Sequence, residues 1–134
     1  MKKKLNYKFY PIELTEEEKE FWRPKWKSEF KIGQQNIKVP GEIYNYLEIE
    51  GKICLTITSI PLINRNRNIW SYNENGEKEW EIEARCKSMG KNEFIDPYTG
   101  FYKEEKKIIV TTFDGFYGEL DIDTGKVKDW KWSR

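Results

Sequence analysis

The sequence lacks histidine entirely among its 134 residues. Histidine is the usual general base at neutral pH and a common metal ligand, so its absence excludes Ser-His-Asp triads and histidine metal sites. The sequence also has no glycine-rich phosphate-binding loop, no metal-ligand cluster and no evident nucleophile–base pair. We therefore predict a protein that is not an enzyme and that uses no cofactor and no metal.

Cysteine is scarce as well, since Cys54 and Cys86 are the only two. Two cysteines cannot build a disulfide framework, and both fall in predicted strands, so we interpret them as buried thiols of a reducing compartment. No apolar run approaches the roughly 18 residues of a membrane span. The basic residues 2–4 are not followed by the apolar core of a signal peptide. These absences predict a cytoplasmic protein with no membrane contact.

Charge of neither sign is in clear excess, because 24 Lys and Arg face 23 Asp and Glu, for a net charge of +1. This balance argues against nucleic acid as a partner. Aromatic residues, in contrast, make up 16% of the chain. Disordered chains are poor in aromatics, so we expect one folded domain over residues 1–134.

Short apolar runs separated by turn signals predict a mostly β fold. A hairpin is expected around Glu50-Gly51, between strands at 42–49 and 52–58. Further strands are predicted near 5–12, 25–32, 68–73, 77–87, 105–113, 116–122 and 126–132. We expect a single-domain antiparallel meander of roughly eight to ten strands, arranged as a curved sheet, a sandwich or an open barrel.

One short helix is expected near the N-terminus. Thr15 and Glu18 form a capping box, and Pro24 disfavours helical geometry at the residue before it. Three connectors are predicted, at 33–41, 59–67 and 88–103. The predicted core consists of Ile43, Leu47, Ile53, Leu55, Ile57, Trp70, Trp80, Ile82, Ile109, Leu120 and Ile122.

Two segments share a pattern in which an apolar strand leads to a turn ending in glycine and then to a tryptophan-bearing strand. In residues 68–82 the glycine and tryptophan are Gly76 and Trp80, and in residues 109–130 they are Gly125 and Trp130. The two glycines lie about 49 residues apart. Such a spacing is typical of propeller blades.

The second segment resembles the blades of quinoprotein-type (PQQ-like) β-propellers. The shared residues are Asp114-Gly115, Leu120-Asp121, Asp123-Thr124-Gly125-Lys126 and Trp130. The resemblance implies blade-like hairpins. It implies neither a closed propeller, which needs at least about four blades, nor a quinone site, because the other blade signatures are absent.

Two connectors carry side chains that suit binding. Asn64, Arg65 and Arg67 belong to a basic, amide-rich stretch whose arginines suit phosphates or carboxylates and whose amides suit bases or backbone groups. The 88–103 connector carries the aromatic residues Phe94, Tyr98, Phe101 and Tyr102. These rings would serve either as interface anchors or as pins that hold the connector to the protein itself.

The absences and the aromatic and basic connectors together favour a protein-binding domain. The chain is similar in general character to small bacterial toxin-immunity proteins, which implies a cognate toxin as partner. One alternative is a small nucleic-acid-binding or histidine-independent nuclease-type protein that uses Arg65 and Arg67. Another is a self-assembling subunit whose β edges pair between copies.

Overall fold

The computed structural model of the protein describes residues 5–21, 25–58, 66–85 and 97–132. These residues form eleven strands and one helix. In chain order the elements are β1 (Tyr7–Ile12), α1 (Glu16–Phe21), β2 (Lys25–Ile32), β3 (Gln35–Lys38), β4 (Glu42–Ile49), β5 (Lys52–Thr58), β6 (Ile69–Tyr72), β7 (Lys78–Glu81), β8 (Tyr98–Glu104), β9 (Lys107–Thr112), β10 (Phe116–Leu120) and β11 (Val127–Trp132). The predicted mostly β, antiparallel fold with one short N-terminal helix is confirmed.

The helix α1 begins at the predicted capping box. The Glu18 backbone N–H donates to Thr15 Oγ1 at 3.1 Å, and the Thr15 N–H donates to Glu18 Oε1 at 3.0 Å. Each side chain thereby satisfies a backbone donor that the first helical turn leaves without a partner. No helix in the described ranges is long and apolar enough to cross a membrane.

The first seven strands form one sheet in the order β1-β2-β4-β5-β6-β7, with β3 also paired to β2. The β4–β5 turn has positive φ at Glu50 (47°) and Gly51 (80°), the conformation that suits a two-residue hairpin. The predicted hairpin is therefore confirmed. The last four strands form a second sheet, a meander in the order β11-β10-β9-β8.

Strand β3 lies where the sequence predicted only a connector. It pairs with the second half of β2, and Ile37 stands opposite Phe30. Ile37 is the one apolar residue in this four-residue strand, and it packs against the core. A strand with one inward apolar residue shows no alternation of apolar and polar residues. Its own sequence therefore does not predict it, and only its pairing with β2 identifies it.

The first sheet curls so that β1–β3 lie over one face of β4–β6. The Phe9 ring stacks on Phe30 at a centroid distance of 4.7 Å and on Tyr46 of β4 at 3.6 Å. Phe30 also meets Tyr72 of β6 edge to face at 5.1 Å. Contacts between strands that are not neighbours in the sheet require strong curvature, and they enclose a first hydrophobic core.

The second sheet covers the opposite face of the curved sheet. The second core joins Ile49 and Ile69 of the curved sheet to Val110 and Leu120 of the meander. The protein thus has three layers, β1–β3, β4–β7 and β8–β11, and β5 in the middle layer is buried on both faces. Burial on both faces explains why residues 53–57 read as a nearly continuous apolar run rather than an alternating one.

Of the eleven predicted core residues, all except Ile109 belong to these two clusters or pack against them. Eight of the predicted residues are buried, namely Ile43, Ile53, Leu55, Ile57, Trp70, Ile82, Ile109 and Leu120. Leu47, Trp80 and Ile122 are partly buried against the second core. Cys54 is a buried free thiol, as predicted, and burial raises its pKa to about 11. Cys86 lies outside the described residues.

Candidate functional site

The basic, amide-rich stretch is described only in part, since Asn64 and Arg65 lie outside the described residues. Arg67 is half-buried, and its carbonyl oxygen accepts a hydrogen bond from the Trp70 indole N–H at 2.7 Å. This contact fixes the backbone of Arg67 next to the strand that follows. The proposed role of Arg67 in binding a partner stays a prediction.

Asn68, at the end of this stretch, is fully buried. Its amide Nδ2 donates to the carbonyl oxygens of Ile57 at 3.1 Å and Tyr98 at 2.9 Å. Its Oδ1 accepts from the Tyr98 N–H at 2.8 Å. The side chain therefore joins the backbones of the two sheets, which is one of the two roles the sequence suggested for these amides.

The aromatic connector is corrected by the structure, because residues 98–104 form β8 rather than a loop. Tyr98 and Phe101 retain only 4% and 6% exposure and belong to the second core. The Tyr98 ring stacks on Trp130, and its hydroxyl donates to the Glu83 carbonyl at 2.7 Å. The prediction that these two rings are exposed interface anchors is therefore wrong. They instead hold this segment against the second core. Their cross-strand partners in β9 could not be identified from this segment alone.

Tyr102 is the predicted aromatic residue that the described part of the chain leaves accessible, with 48% exposure. It lies on β8, opposite Ile109 of β9. Phe94 lies outside the described residues. The partner-binding role of Tyr102 and Phe94 stays a prediction.

A more prominent aromatic surface lies at the end of the second sheet where β9 turns into β10. Phe113 in this turn is 84% exposed, and Trp132 at the end of β11 is 58% exposed. Phe116 pairs with Trp132 across β10 and β11, with ring centroids 6.4 Å apart. We call Arg85, Phe113, Phe116 and Trp132 the aromatic end surface.

Arg85 anchors this surface through charge and stacking. Its Nη2 lies 2.7 Å from Asp114 Oδ2, and its guanidinium carbon lies 5.0 Å from the Phe116 ring centroid. The side chain of Arg85 is only 12% exposed. The hydrogen bond from Arg85, followed by one from Thr112, lowers the pKa of Asp114. The carboxylate is thus held ionised beside the guanidinium.

Thr112 orders the turn that presents Phe113. Its hydroxyl donates to Asp114 Oδ1 at 2.6 Å and accepts from the Phe116 N–H at 3.0 Å. The turn is completed by Gly115, which has a φ of 91° that favours glycine.

This surface is not predicted by the sequence, because Phe113 reads as the last residue of the strand predicted near 105–113. Its signal is that a large aromatic residue directly precedes the Asp114-Gly115 turn, where no neighbouring strand can cover it. Arg85 gave no signal, since its contacts to Asp114 and Phe116 span about 30 residues of sequence. Within the described residues, no group of His, Cys, Asp and Glu side chains is placed to hold a metal ion.

The family model for a domain of unknown function, DUF7957, matches residues 25–132. The chain belongs to the DUF7957 family. The matched region begins with β2 and ends with β11, so the DUF7957 region contains the aromatic end surface, whereas β1 and α1 precede it. No curated protein matches the chain.

The fold is similar to that of the computationally designed Ika8 protein, known from a crystal structure. The TM-score is 0.52 at 10% sequence identity, over 81% of this chain and 32% of the Ika8 chain. The chain thus spans about a third of the length of that designed protein. At this identity the likeness concerns the fold alone.

Proposed function

We propose that the protein is a non-catalytic protein-binding domain of the toxin-immunity type. It would neutralise a cognate toxin by binding to it directly through the aromatic end surface. The observation that carries the proposal is the exposure of Phe113 and Trp132 beside the anchored Arg85. Tryptophan and arginine are enriched among the residues that contribute most to protein interfaces. Clustered exposed apolar side chains on a soluble protein commonly mark an interaction site.

Side chains of the aromatic end surface are already held in place before a partner binds, which supports the same proposal. Phe116 and Trp132 are held by strand pairing, and Arg85 is held by its contact with Asp114. Side chains that are already ordered lose little conformational entropy when a partner binds. A stable complex would bury at least roughly 1,000 Å² in total, so residues around the aromatic end surface would also contribute.

Three of the edge strands, β1, β8 and β11, argue for this proposal over self-assembly. Strand β1 has an irregular register at Pro11, and β11 has an irregularity opposite Tyr117–Glu119 together with a positive φ of 56° at Asp129. Asn68 and Asn45 donate hydrogen bonds to the carbonyl oxygens of β8. Bulges, proline and side chains that cover the backbone all protect edges from pairing with another copy.

The test is affinity capture of the tagged protein from its native cells, with neighbouring gene products expressed, followed by titration of the captured partner. We expect one stoichiometric protein partner that is retained in high salt. The double variant Phe113→Ala/Trp132→Ala should weaken its binding by roughly a hundredfold, because it removes two exposed anchors. The matched control is Ile12→Ala/Tyr44→Ala, which removes two other exposed apolar side chains and should change affinity less than about threefold.

Three outcomes would contradict the proposal. The absence of any stoichiometric partner is one, and equal weakening by the two double variants is another. Capture of RNA or DNA that salt removes would instead favour the nucleic-acid alternative with Arg65 and Arg67. Circular dichroism of both variants excludes unfolding as the cause of weaker binding.

A further inference from the structure

The outer face of the β1–β3 layer is strongly basic. Phe9 and Phe30 point into the first core, so the alternating residues of the same strands point outward. We call these outward residues the basic face, which comprises Lys8, Tyr10, Lys27, Glu29, Lys31 and Lys38. Four lysines thus share one surface with a single glutamate, on a chain whose net charge is only +1.

The lysines of this face have no acidic partner among the described residues. Lys8 contacts the Tyr10 ring at 5.5 Å, and no described carboxylate lies within ion-pair distance of any of the four lysines. Lys52 of β5 shows what a paired lysine of this protein looks like. Lys52 pairs with Glu79 at 2.7 Å and with Asp123 at 3.6 Å.

The strand register concentrates the positive charge. Lys8 and Lys31 are direct cross-strand partners of β1 and β2. Like charges placed opposite each other destabilise a sheet by a few tenths of a kcal/mol or more relative to neutral pairs. A shallow groove of about 320 Å³ lies in the same layer, lined by Lys27, Ser28, Glu29, Lys38 and Val39. An unfavourable charge arrangement beside a groove is typical of a surface whose compensation comes from a partner.

The position of Glu29 indicates the class of partner. It lies on β2 between Lys27 and Lys31 and opposite Lys38 of β3. A phosphate backbone would meet repulsion at this central carboxylate, whereas a protein surface can place a cation there and carboxylates around it.

We propose that the basic face docks an acidic surface of a partner protein, with Lys8, Lys31 and Lys38 facing its carboxylates. The inference is independent of the aromatic end surface, because the two surfaces lie on the first and third layers of the molecule. Charge complementarity of this kind chiefly raises the association rate and the specificity, and it weakens as salt rises.

The test uses as its probe a fluorescent peptide of about 15 residues, made of glutamates with one lysine at the centre to meet Glu29, with oligo-uridine and duplex DNA of similar length as competitors. We expect salt-sensitive binding of the peptide, with amide shift changes in a ¹⁵N NMR titration confined to β1–β3. The variant Lys8→Glu/Lys31→Glu should raise the dissociation constant by roughly tenfold or more. The control Lys103→Glu/Lys126→Glu makes the same change in net charge on the second sheet and should raise it less than about twofold.

Several results would overturn the proposal: no binding of the peptide at low salt, equal weakening by both variants, or shift changes spread over the second sheet. Tighter binding of oligo-uridine or DNA than of the peptide would replace the protein partner by a nucleic acid. If the Lys8/Lys31 variant does not fold, the NMR titration of the unchanged protein still decides the site. Loss of the aromatic end surface by Phe113→Ala/Trp132→Ala should leave peptide binding unchanged, which separates this inference from the proposed function.

Discussion

The two segments that share a sequence pattern, β6–β7 and β10–β11, form hairpins of the same kind in different surroundings. Their turns end in Gly76 and Gly125, with φ of 80° and 79°. Strand β6 is buried throughout, between the two cores, whereas β11 is largely exposed. The Trp80 ring of the first hairpin also packs directly on Gly125 of the second. A shared pattern thus specifies the local turn, while the neighbouring layers decide how much each residue contributes to stability.

The largest effect is expected where the first segment begins. Replacing Asn68 by Ala leaves three buried backbone groups of Ile57 and Tyr98 without their partner. The free energy of unfolding should fall by about 4 kcal/mol, since each unsatisfied buried group costs about 1–3 kcal/mol. Urea denaturation followed by tryptophan fluorescence measures this change.

The control for that variant is Asn73→Ala in the same hairpin. The Asn73 side chain also accepts hydrogen bonds from backbone N–H groups, those of Asn75 and Glu77, but in an exposed turn where water can replace it. Its loss should cost about 1 kcal/mol. Equal effects of the two variants would contradict the role of Asn68 in joining the sheets.

The two turn glycines should differ when each is replaced by Ala. A Cβ on Gly125 would lie 2.7 Å from the Trp80 ring, whereas a Cβ on Gly76 would lie 3.0 Å from the Gln35 side chain. Both variants carry the strain of positive φ, about 1 kcal/mol or slightly more. Gly125→Ala should cost about 3 kcal/mol in total and Gly76→Ala about half of that. Thermal unfolding of the two variants tests this comparison. Equal decreases in the melting temperature would contradict it.

Alkaline pH should weaken the junction between the layers through Cys54. This residue belongs to the second core, and its cross-strand partner in the first sheet is Ser71 of β6. Burial raises the pKa of this thiol from 9.0 to about 11, so the folded state holds the proton more tightly than the unfolded state. The resulting stability is complete below pH 9 and is lost as pH rises through about 11, by about 3 kcal/mol.

The Cys54 contribution can be isolated by comparing Cys54→Ala with the parent, both carrying Cys86→Ser. Burial also raises the pKa of Tyr72, to about 12, so the parent loses stability at high pH from both groups. The free energy of unfolding of the Cys54→Ala variant should decline less steeply between pH 9 and 11. Parallel declines of the two proteins would show that the Cys54 thiol does not contribute.

The smallest effect concerns the tryptophans of the two hairpins. The Trp80 indole N–H donates to the Ile122 carbonyl at 2.9 Å and so links the first hairpin to the second turn. Trp130 instead packs flat against Tyr98. Trp80→Phe should cost about 1 kcal/mol more than Trp130→Phe, because only the former loses this bond. The opposite ranking in urea denaturation would contradict the link.

Local sequence signals predicted most of the elements. The capping box at Thr15, the Glu50-Gly51 hairpin and the strands near 25–32 and 116–122 depend on neighbouring residues, and each is confirmed. Strand β3 was not predicted because its single apolar residue, Ile37, gives no alternating pattern, and β8 was not predicted because Asn68, which holds its first residue, lies 30 residues earlier in sequence. Propensity alone cannot show such partners.

The candidate surfaces were harder to predict than the strands. Phe113 and Trp132 are apolar residues of ordinary strand-like segments, and only the ends of β9 and β11 leave them exposed. The basic face could not be predicted from the sequence for a different reason. Lys8, Lys31 and Lys38 lie on three strands, and their proximity follows from the register of β1 and β3 on β2.

The order of strand pairing has a consequence for how the chain folds. In the second sheet every pair joins consecutive strands, and in the curved sheet only the β2–β4 pair skips a strand. Contacts between sequence neighbours close small loops, so we expect rapid folding for a β protein. The bonds of Asn68 across the layers should form late, so Asn68→Ala should mainly speed unfolding in stopped-flow measurements, with little change in the folding rate. Each sheet can then assemble from its own hairpins, and docking of the two completes the native state.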